Sequence, residues 1–378
     1  MHIAFPMRVD AIDKPGGDLV QVRQYLEAGA KIPQSDPRHF TGEILTDLNA
    51  GFSRFDLVHL TNIDRPIDTW VSFKRAKESR RPLVLSTIHH SYKEIERFER
   101  NARGGAAGMI SGLLSFQMLE LLRSLVRSRK YGSLRLPTLQ AMLRGVRTAQ
   151  AEILLGVDRV LVLTRREERS LAADIVSIPT DRIEHLPNGL DETSEESQRE
   201  ALRDIPVCVV GRIEARKNQL AILESLERLG VAGVFIGRES PNHAGYCEQF
   251  KRLIATSRSS FVGPKSHTET LGFLRRSNVH VSASWFEVAS LVDIEAYLAG
   301  CKVVSSECGG TQELLGDDAE YVDPESAEGL DFSIKRALER SNGDARECPV
   351  LIAPSWQAVG ERLGGLYHEL TNRISTDR

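Results

Sequence analysis

Two carboxylates and two cations in this chain have the types and spacing to handle a phosphate-bearing sugar. Glu287 and Glu295 lie eight positions apart in FEVASLVDIEAYLAG. Leu291, Ile294, Tyr297 and Leu298 recur there at helical spacing, which predicts a helix over 289–299 stopped by Gly300. If that helix begins near Glu287, both carboxylates face one way, since eight residues are a little over two turns. The backbone N–H groups of Val288, Ala289, Ser290 and Leu291 are then unpaired at its start, a ready anion site. On spacing alone, two solvated glutamates fit the pattern equally well. The cations are Arg212, just past the apolar run 207–210, and Lys217, five residues on. Converging on a diphosphate, they offset its charge without a metal. No cluster of Asp or His has ligand spacing, so neither metal nor other cofactor is expected.

These four residues need a scaffold. The segment 279–281 reads as a buried strand, 282–288 as a polar turn, 301–305 as a second strand and 308–311 as a glycine turn before another helix. The segment 207–210 reads as a strand feeding GRIEARKNQ and then a helix to Leu229. Strand ends with glycine follow near Gly237 and Gly263. Alternating strands and helices imply a parallel sheet, whose ligands gather beyond the carboxyl ends of the strands.

The run from Glu287 to Glu313 resembles the donor-binding signature of retaining glycosyltransferases of family 4. Glu287, Glu295, Ala296, Gly300, Val303, Val304, Gly309, Gly310 and Glu313 carry it. The Gly-Arg and Lys-Asn pairs at 211–212 and 217–218 are similar to that family as well. One departure is Val288-Ala289-Ser290, where the family has a Phe-Gly pair. The resemblance implies a GT-B fold: two doubly wound, Rossmann-like α/β domains facing a cleft. It implies a nucleoside diphosphate sugar as donor, of UDP or GDP type, with a saccharide or lipid-linked acceptor. Arg212 and Lys217 would grip the diphosphate, Glu287 the transferred sugar, Glu295 the ribose. Lys265, after the strand near 260–263, would lie by the base. A non-catalytic nucleotide-sugar binding or scaffold protein of the same fold is the alternative.

The first half is organised in the same way. Ile3 to Phe5 reads as a strand, followed by a loop with Gly16-Gly17 and a helix capped by Asp18. The family has a Gly-Gly pair here, near the donor phosphates. Strands near 56–60 and 83–88 precede Asn62 and His89. A histidine just past a strand end suits a substrate hydroxyl, and the family commonly has one at this place. Pro187-Asn188-Gly189 reads as a turn that favours left-handed geometry. The expected domains are 1–190 for the acceptor and 205–354 for the donor. An acid-rich linker fills 191–204, and a helix at 355–378 crosses back to the first domain.

Composition bounds the rest. The chain has 378 residues and net charge −3, which suits two soluble domains and gives no sign of a nucleic-acid partner. Five cysteines without a close pair fit a reducing compartment, and the start of the chain does not read as a signal peptide. A cytoplasmic location is expected. Residues 97–147 stand out, with ten Lys or Arg against Glu99 and Glu120, a balance of 10 − 2 = +8. Apolar positions between Ile110 and Val126 make a greasy face among them. This is the composition of a helix lying on an anionic membrane surface, of a core helix with a solvated basic edge, or of a pocket for an acidic acceptor. The resemblance favours polysaccharide, lipopolysaccharide or glycolipid synthesis at the inner face of a membrane.

Overall fold

The computed structural model describes residues 1–103, 112–190, 202–340 and 354–376. Most of the expected linker, Cys348 and part of the basic segment, including Ile110, lie outside the described residues. The chain divides into two compact units. The first comprises Met1–Tyr92, Leu113–Asp191 and Pro354–Arg378; the second comprises Lys93–Gly112 and Glu192–Ala353. Residues 93–103 therefore pack with the second unit, although the sequence reading placed them in the first domain. Their anchors are specific. Arg97 donates to both Asp323 oxygens at 2.6 and 2.7 Å and to Glu325 at 2.7 Å, and Phe98 packs against Trp285 and Phe286.

The first unit holds β1 (His2–Pro6), β2 (Thr41–Leu45), β3 (Leu57–Thr61), β4 (Leu83–Ser86), β5 (Arg159–Val162) and β6 (Ile183–His185). They form a parallel sheet in the order β2-β1-β3-β4-β5-β6. The chain steps outward from β1 to β2, then reverses to β3, so a switch point lies between β1 and β3. Every residue of β3 is buried, as a strand covered on both faces requires. The last helix, Trp356–Thr376, gives Val359, Leu363, Leu366, Tyr367 and Leu370 to this unit's core. It approaches the helix Gly17–Lys31 through Gly360, where a Cβ would stand 2.6 Å from the Cβ of Ala28. Gly189 serves the same junction: a Cβ there would meet the Trp356 backbone at 2.6 Å. Neither Asn188 nor Gly189 has positive φ, so close approach to Trp356, not left-handed geometry, explains this glycine.

The second unit holds β7 (Ile205–Val210), β8 (Gly233–Ile236), β9 (Ser260–Phe261), β10 (Ser277–Val281), β11 (Lys302–Ser306) and β12 (Ala319–Val322). The order is β12-β11-β10-β7-β8-β9, all parallel. Here the switch point falls between β7 and β10. Val207, Val209, Phe235, Val279, Val281 and Val304 pack against helices on one face; Cys208, Ile236, Val303 and Ala319 do so on the other. Alternate strand residues thus feed opposite layers, the signature of a doubly wound sheet. The described cysteines Cys208, Cys247, Cys301 and Cys308 are buried.

Candidate functional site

The loops leaving β7 and β10 carry the charged residues singled out in the sequence. After β7, the 3₁₀ turn Ala215–Lys217 leads to the helix Gln219–Leu229. Asn218 joins them in left-handed geometry, φ 59°, and its amide donates to the Pro324 carbonyl at 2.8 Å. Asparagine tolerates that geometry better than most residues, which accounts for the Lys-Asn pair and fixes where Lys217 leaves the backbone.

Lys217 is ion-paired to Glu287. Arg216 donates to the same Glu287 oxygen at 3.0 Å, to the Phe286 carbonyl at 3.1 Å and to Glu214 at 3.1 and 3.2 Å. Arg212 approaches Glu214 at 3.7 Å, and its side chain is 48% exposed, against 19% for Lys217 and 14% for Glu287. One network therefore runs Arg212, Glu214, Arg216, Glu287, Lys217. Burial works against the Arg216 charge, but Glu287 and Glu214 outweigh it and hold its pKa above the usual value. Sequence reasoning missed Arg216 and Glu214. Both lay inside the GRIEARKN motif, but nothing local marks Arg216 as the partner of a residue 71 positions on.

Glue for this loop comes from glycine. Gly310 donates its N–H to the Val288 carbonyl at 2.9 Å, and a Cβ on Gly309 would lie 3.1 Å from the Cβ of Glu287. The glycine turn after β11 is thus pressed against the Glu287 loop. A second set of glycines laces the strand ends: Gly211 N–H to Ile236 O at 2.9 Å and Gly237 N–H to Gly263 O at 3.0 Å.

The helix itself differs from the expectation. It spans Leu291–Leu298, with Ser290 in extended geometry as its N-cap. Val288 and Ala289 precede it, so its first free N–H groups begin near Leu291, not at Val288. Glu287 lies outside the helix, and the argument that helical periodicity turns it toward Glu295 does not hold. Glu295 instead meets the His267 ring at 3.0 Å, and Lys265 lies 3.9 Å from Glu269.

Asp293 is a further residue that the sequence did not flag. It is fully buried at the first turn of the helix and gathers groups from three other elements. Its carboxylate accepts from Ser305 at 2.6 Å, Thr311 at 3.3 Å and Ser282 at 3.4 Å, and faces His280 at 3.2 Å. The other nitrogen of His280 faces the Cys208 carbonyl at 3.1 Å. This hub pins β10, β11 and the glycine turn behind the Glu287 loop. In the loop after β10, the Ser284 hydroxyl and the Trp285 indole N–H are buried without a hydrogen-bond partner among the described residues.

In the first unit, Gly16 and Gly17 stand where the loop after β1 enters the helix Gly17–Lys31. The helix starts at Gly17 with Gly16 as N-cap, so Asp18 is not the cap that the sequence suggested. Asp18 accepts from Arg8 at 2.7 Å, from Asn62 at 3.2 Å and from its neighbour Leu19 N–H at 2.9 Å. A Cβ on Gly16 would crowd that pair, 2.8 Å from Asp18, whereas Gly17 faces open space.

His89 corrects an expectation. Its side chain is fully buried, Nδ1 lies 2.6 Å from Asp64, and Nε2 lies 3.1 Å from Asp174. Both nitrogens face carboxylates and both must donate, so the ring has nothing left for a substrate hydroxyl. Burial alone would lower its pKa; the Asp64 charge and the hydrogen bonds to Asp174 and Asp64 outweigh that and push it up to about 10. His89 is a buried brace for the loop after β4. His90, 23% exposed, bonds Asp64 at 2.9 Å.

Comparison with known proteins adds to this geometry. Residues 191–348 match the family model described as glycosyl transferases group 1. A glycogen synthase of Mycobacterium tuberculosis is 29% identical over 137 residues, 34% of this chain and 33% of that protein. A D-inositol 3-phosphate glycosyltransferase of Corynebacterium jeikeium is 25% identical over 252 residues, 59% of this chain and 60% of its own. The matched stretches thus span between a third and three fifths of these curated relatives. Among solved structures, sucrose-phosphate synthase of Thermosynechococcus elongatus superposes with TM-score 0.62 at 17% identity, over 99% of this chain and 97% of that one. HepE of Anabaena in complex with UDP superposes with TM-score 0.63 at 15% identity over the whole of both chains. The chain has the GT-B fold, and its residues 191–348 carry the likeness to group 1 glycosyltransferases.

Proposed function

We propose that this protein transfers a sugar from a nucleoside diphosphate sugar to an acceptor hydroxyl, with retention of configuration and without a metal. The observation that carries the reading is the network Arg212–Glu214–Arg216–Glu287–Lys217 at the β7/β10 switch point, where open α/β sheets bind ligands. The bond from the anomeric carbon to the diphosphate oxygen breaks, and its electron pair leaves with the diphosphate. Arg212 and Lys217 stabilise that developing charge. The acceptor oxygen bonds to the anomeric carbon, and its proton passes to the departing phosphate oxygen, so no protein base is needed. Glu287, held by Arg216, contacts the transferred sugar. Glu295 binds the ribose, and the N–H groups around Ser290 and Leu291 help to hold phosphate. Lys265 lies by the base.

The bound UDP in the Anabaena structure supports a nucleotide-sugar donor, and UDP is the first nucleotide to try. A growing polysaccharide, lipopolysaccharide or glycolipid is the acceptor class in view. Arg212→Ala and Lys217→Ala should each cost about 2–4 kcal/mol in kcat/KM for transfer from a UDP-sugar, the scale of losing one oxyanion donor. Near-normal turnover in either variant removes it from the diphosphate role, and loss of transfer in EDTA removes the metal-free mechanism. The alternative, a non-catalytic nucleotide-sugar binding or scaffold protein, draws on Val288-Ala289-Ser290, where Val288 is buried and its carbonyl is taken by Gly310. UDP-sugar binding without transfer or hydrolysis across an acceptor panel decides for it.

A further inference from the structure

Two neighbouring helices of the first unit, Phe116–Lys130 and Arg135–Arg144, are apolar on both sides. Their inner sides supply Phe116, Leu119 and Ala141 to the protein interior. Their outer sides keep large side chains in solvent. On the first helix Met118, Leu122 and Val126 recur every fourth residue and are 52, 49 and 65% exposed. On the second, Leu136, Leu139 and Leu143 recur at three and four residues and are 65, 55 and 90% exposed. A lone exposed leucine is ordinary, but two helical stripes side by side are a surface that the unit's own core does not use.

Charge indicates what covers them. Residues 113–147 contain seven Lys or Arg and one acid, 7 − 1 = +6. The acid, Glu120, is buried against Arg127. By helical rotation Arg129 and Lys130 fall on the same side as Met118 and Val126, at the end of that stripe. Arg135 and Arg144 flank the second stripe, and all four cations are exposed. A second copy of the chain would set this basic face against itself. An anionic lipid surface answers both features: the apolar side chains enter the acyl boundary while Arg and Lys reach the phosphates. We propose that these two helices seat the protein on an anionic lipid surface. Among the described residues no helix is long and apolar enough to cross a membrane, so the contact lies in the plane of the interface. This proposal does not rest on the donor-site reading.

The test is cosedimentation of the full chain with phosphatidylcholine vesicles, with and without phosphatidylglycerol, at low and high salt. The protein should pellet with the phosphatidylglycerol vesicles and be released by salt. Arg129→Glu with Lys130→Glu should weaken binding by roughly tenfold or more, since each cation near such a surface contributes about a fivefold factor. Leu139→Glu with Leu143→Glu should abolish it. Unchanged circular dichroism and UDP binding in both variants would show that fold and donor site are intact. Three outcomes overturn the proposal: no pelleting at low salt, equal binding to vesicles lacking phosphatidylglycerol, or a solution dimer that Leu139→Glu with Leu143→Glu converts to monomer.

Discussion

His89 shows how a residue that looks catalytic in a sequence can be a brace in a fold. Its position past β4 is where ligands gather, yet Asp64 and Asp174 claim both ring nitrogens. Its folded pKa is raised from an ordinary 6.5 to about 10, so its contribution to stability is fully present below about pH 6.5. That contribution is lost as pH rises through about 10, at up to roughly 1.4 kcal/mol per pH unit. His89→Gln should therefore destabilise the protein by about 3–5 kcal/mol near pH 6, the usual cost of breaking a buried pair. The gap from wild type should close as the pH approaches 10. Denaturant melts of both proteins across that range check this; a gap independent of pH would show that the ring is held neutral. Activity is the second readout, because a brace moves stability while leaving the acid–base profile of turnover unchanged.

At the scale of elements, the donor-side loops depend on glycines that let strand ends touch. Gly237 is the sharpest case. A Cβ there would lie 1.9 Å from the Gly211 carbonyl oxygen, and the residue has φ +156°. Gly237→Ala should cost about 1–3 kcal/mol of stability, as overpacking does, because the loop carrying Arg212 must move. It should also weaken UDP binding more than Gly272→Ala, where a Cβ meets nothing within 4 Å. Calorimetric titration of both variants tests this, and equal affinities would sink it. Such glycines were legible in the sequence because they follow apolar runs of strand length, as at Val207–Val210 and Val234–Ile236. Strand β2 was not legible: TGEIL is an edge strand whose residues are all half-buried or exposed, so it lacks a buried run. The start of the helix at Leu291 was also hidden. Ser290 caps without a side-chain bond, and what holds Val288 out of the helix is Gly310, more than twenty residues away. Asp293 and Arg216 share that cause. Apart from Glu214 beside Arg216, their partners come from distant segments of the chain, and no local spacing announces them.

At the scale of the whole chain, continuity in sequence and membership of a unit part company twice. Lys93–Gly112 groups with the second unit, and Pro354–Arg378 returns to the first. The return is structural, not decorative. Val359, Leu363, Leu366, Tyr367 and Leu370 are buried in the first core, and Tyr367 holds the buried His59 at 2.6 Å. At about 1.5–3 kcal/mol per buried side chain, five of them contribute at most about 7–15 kcal/mol, which matches the whole stability of a typical domain. Among the described residues, the second unit's cores contain none from this helix. A chain ending at Arg340 should thus lose the first unit's cooperative unfolding while the second unit still melts as a unit. It should also still bind UDP through the β7 and β10 loops. Differential scanning calorimetry with hydrogen exchange reads both parts. Native-level protection of β1, β3 and β4 in the shortened chain would mean that the final helix only decorates a core that stands without it.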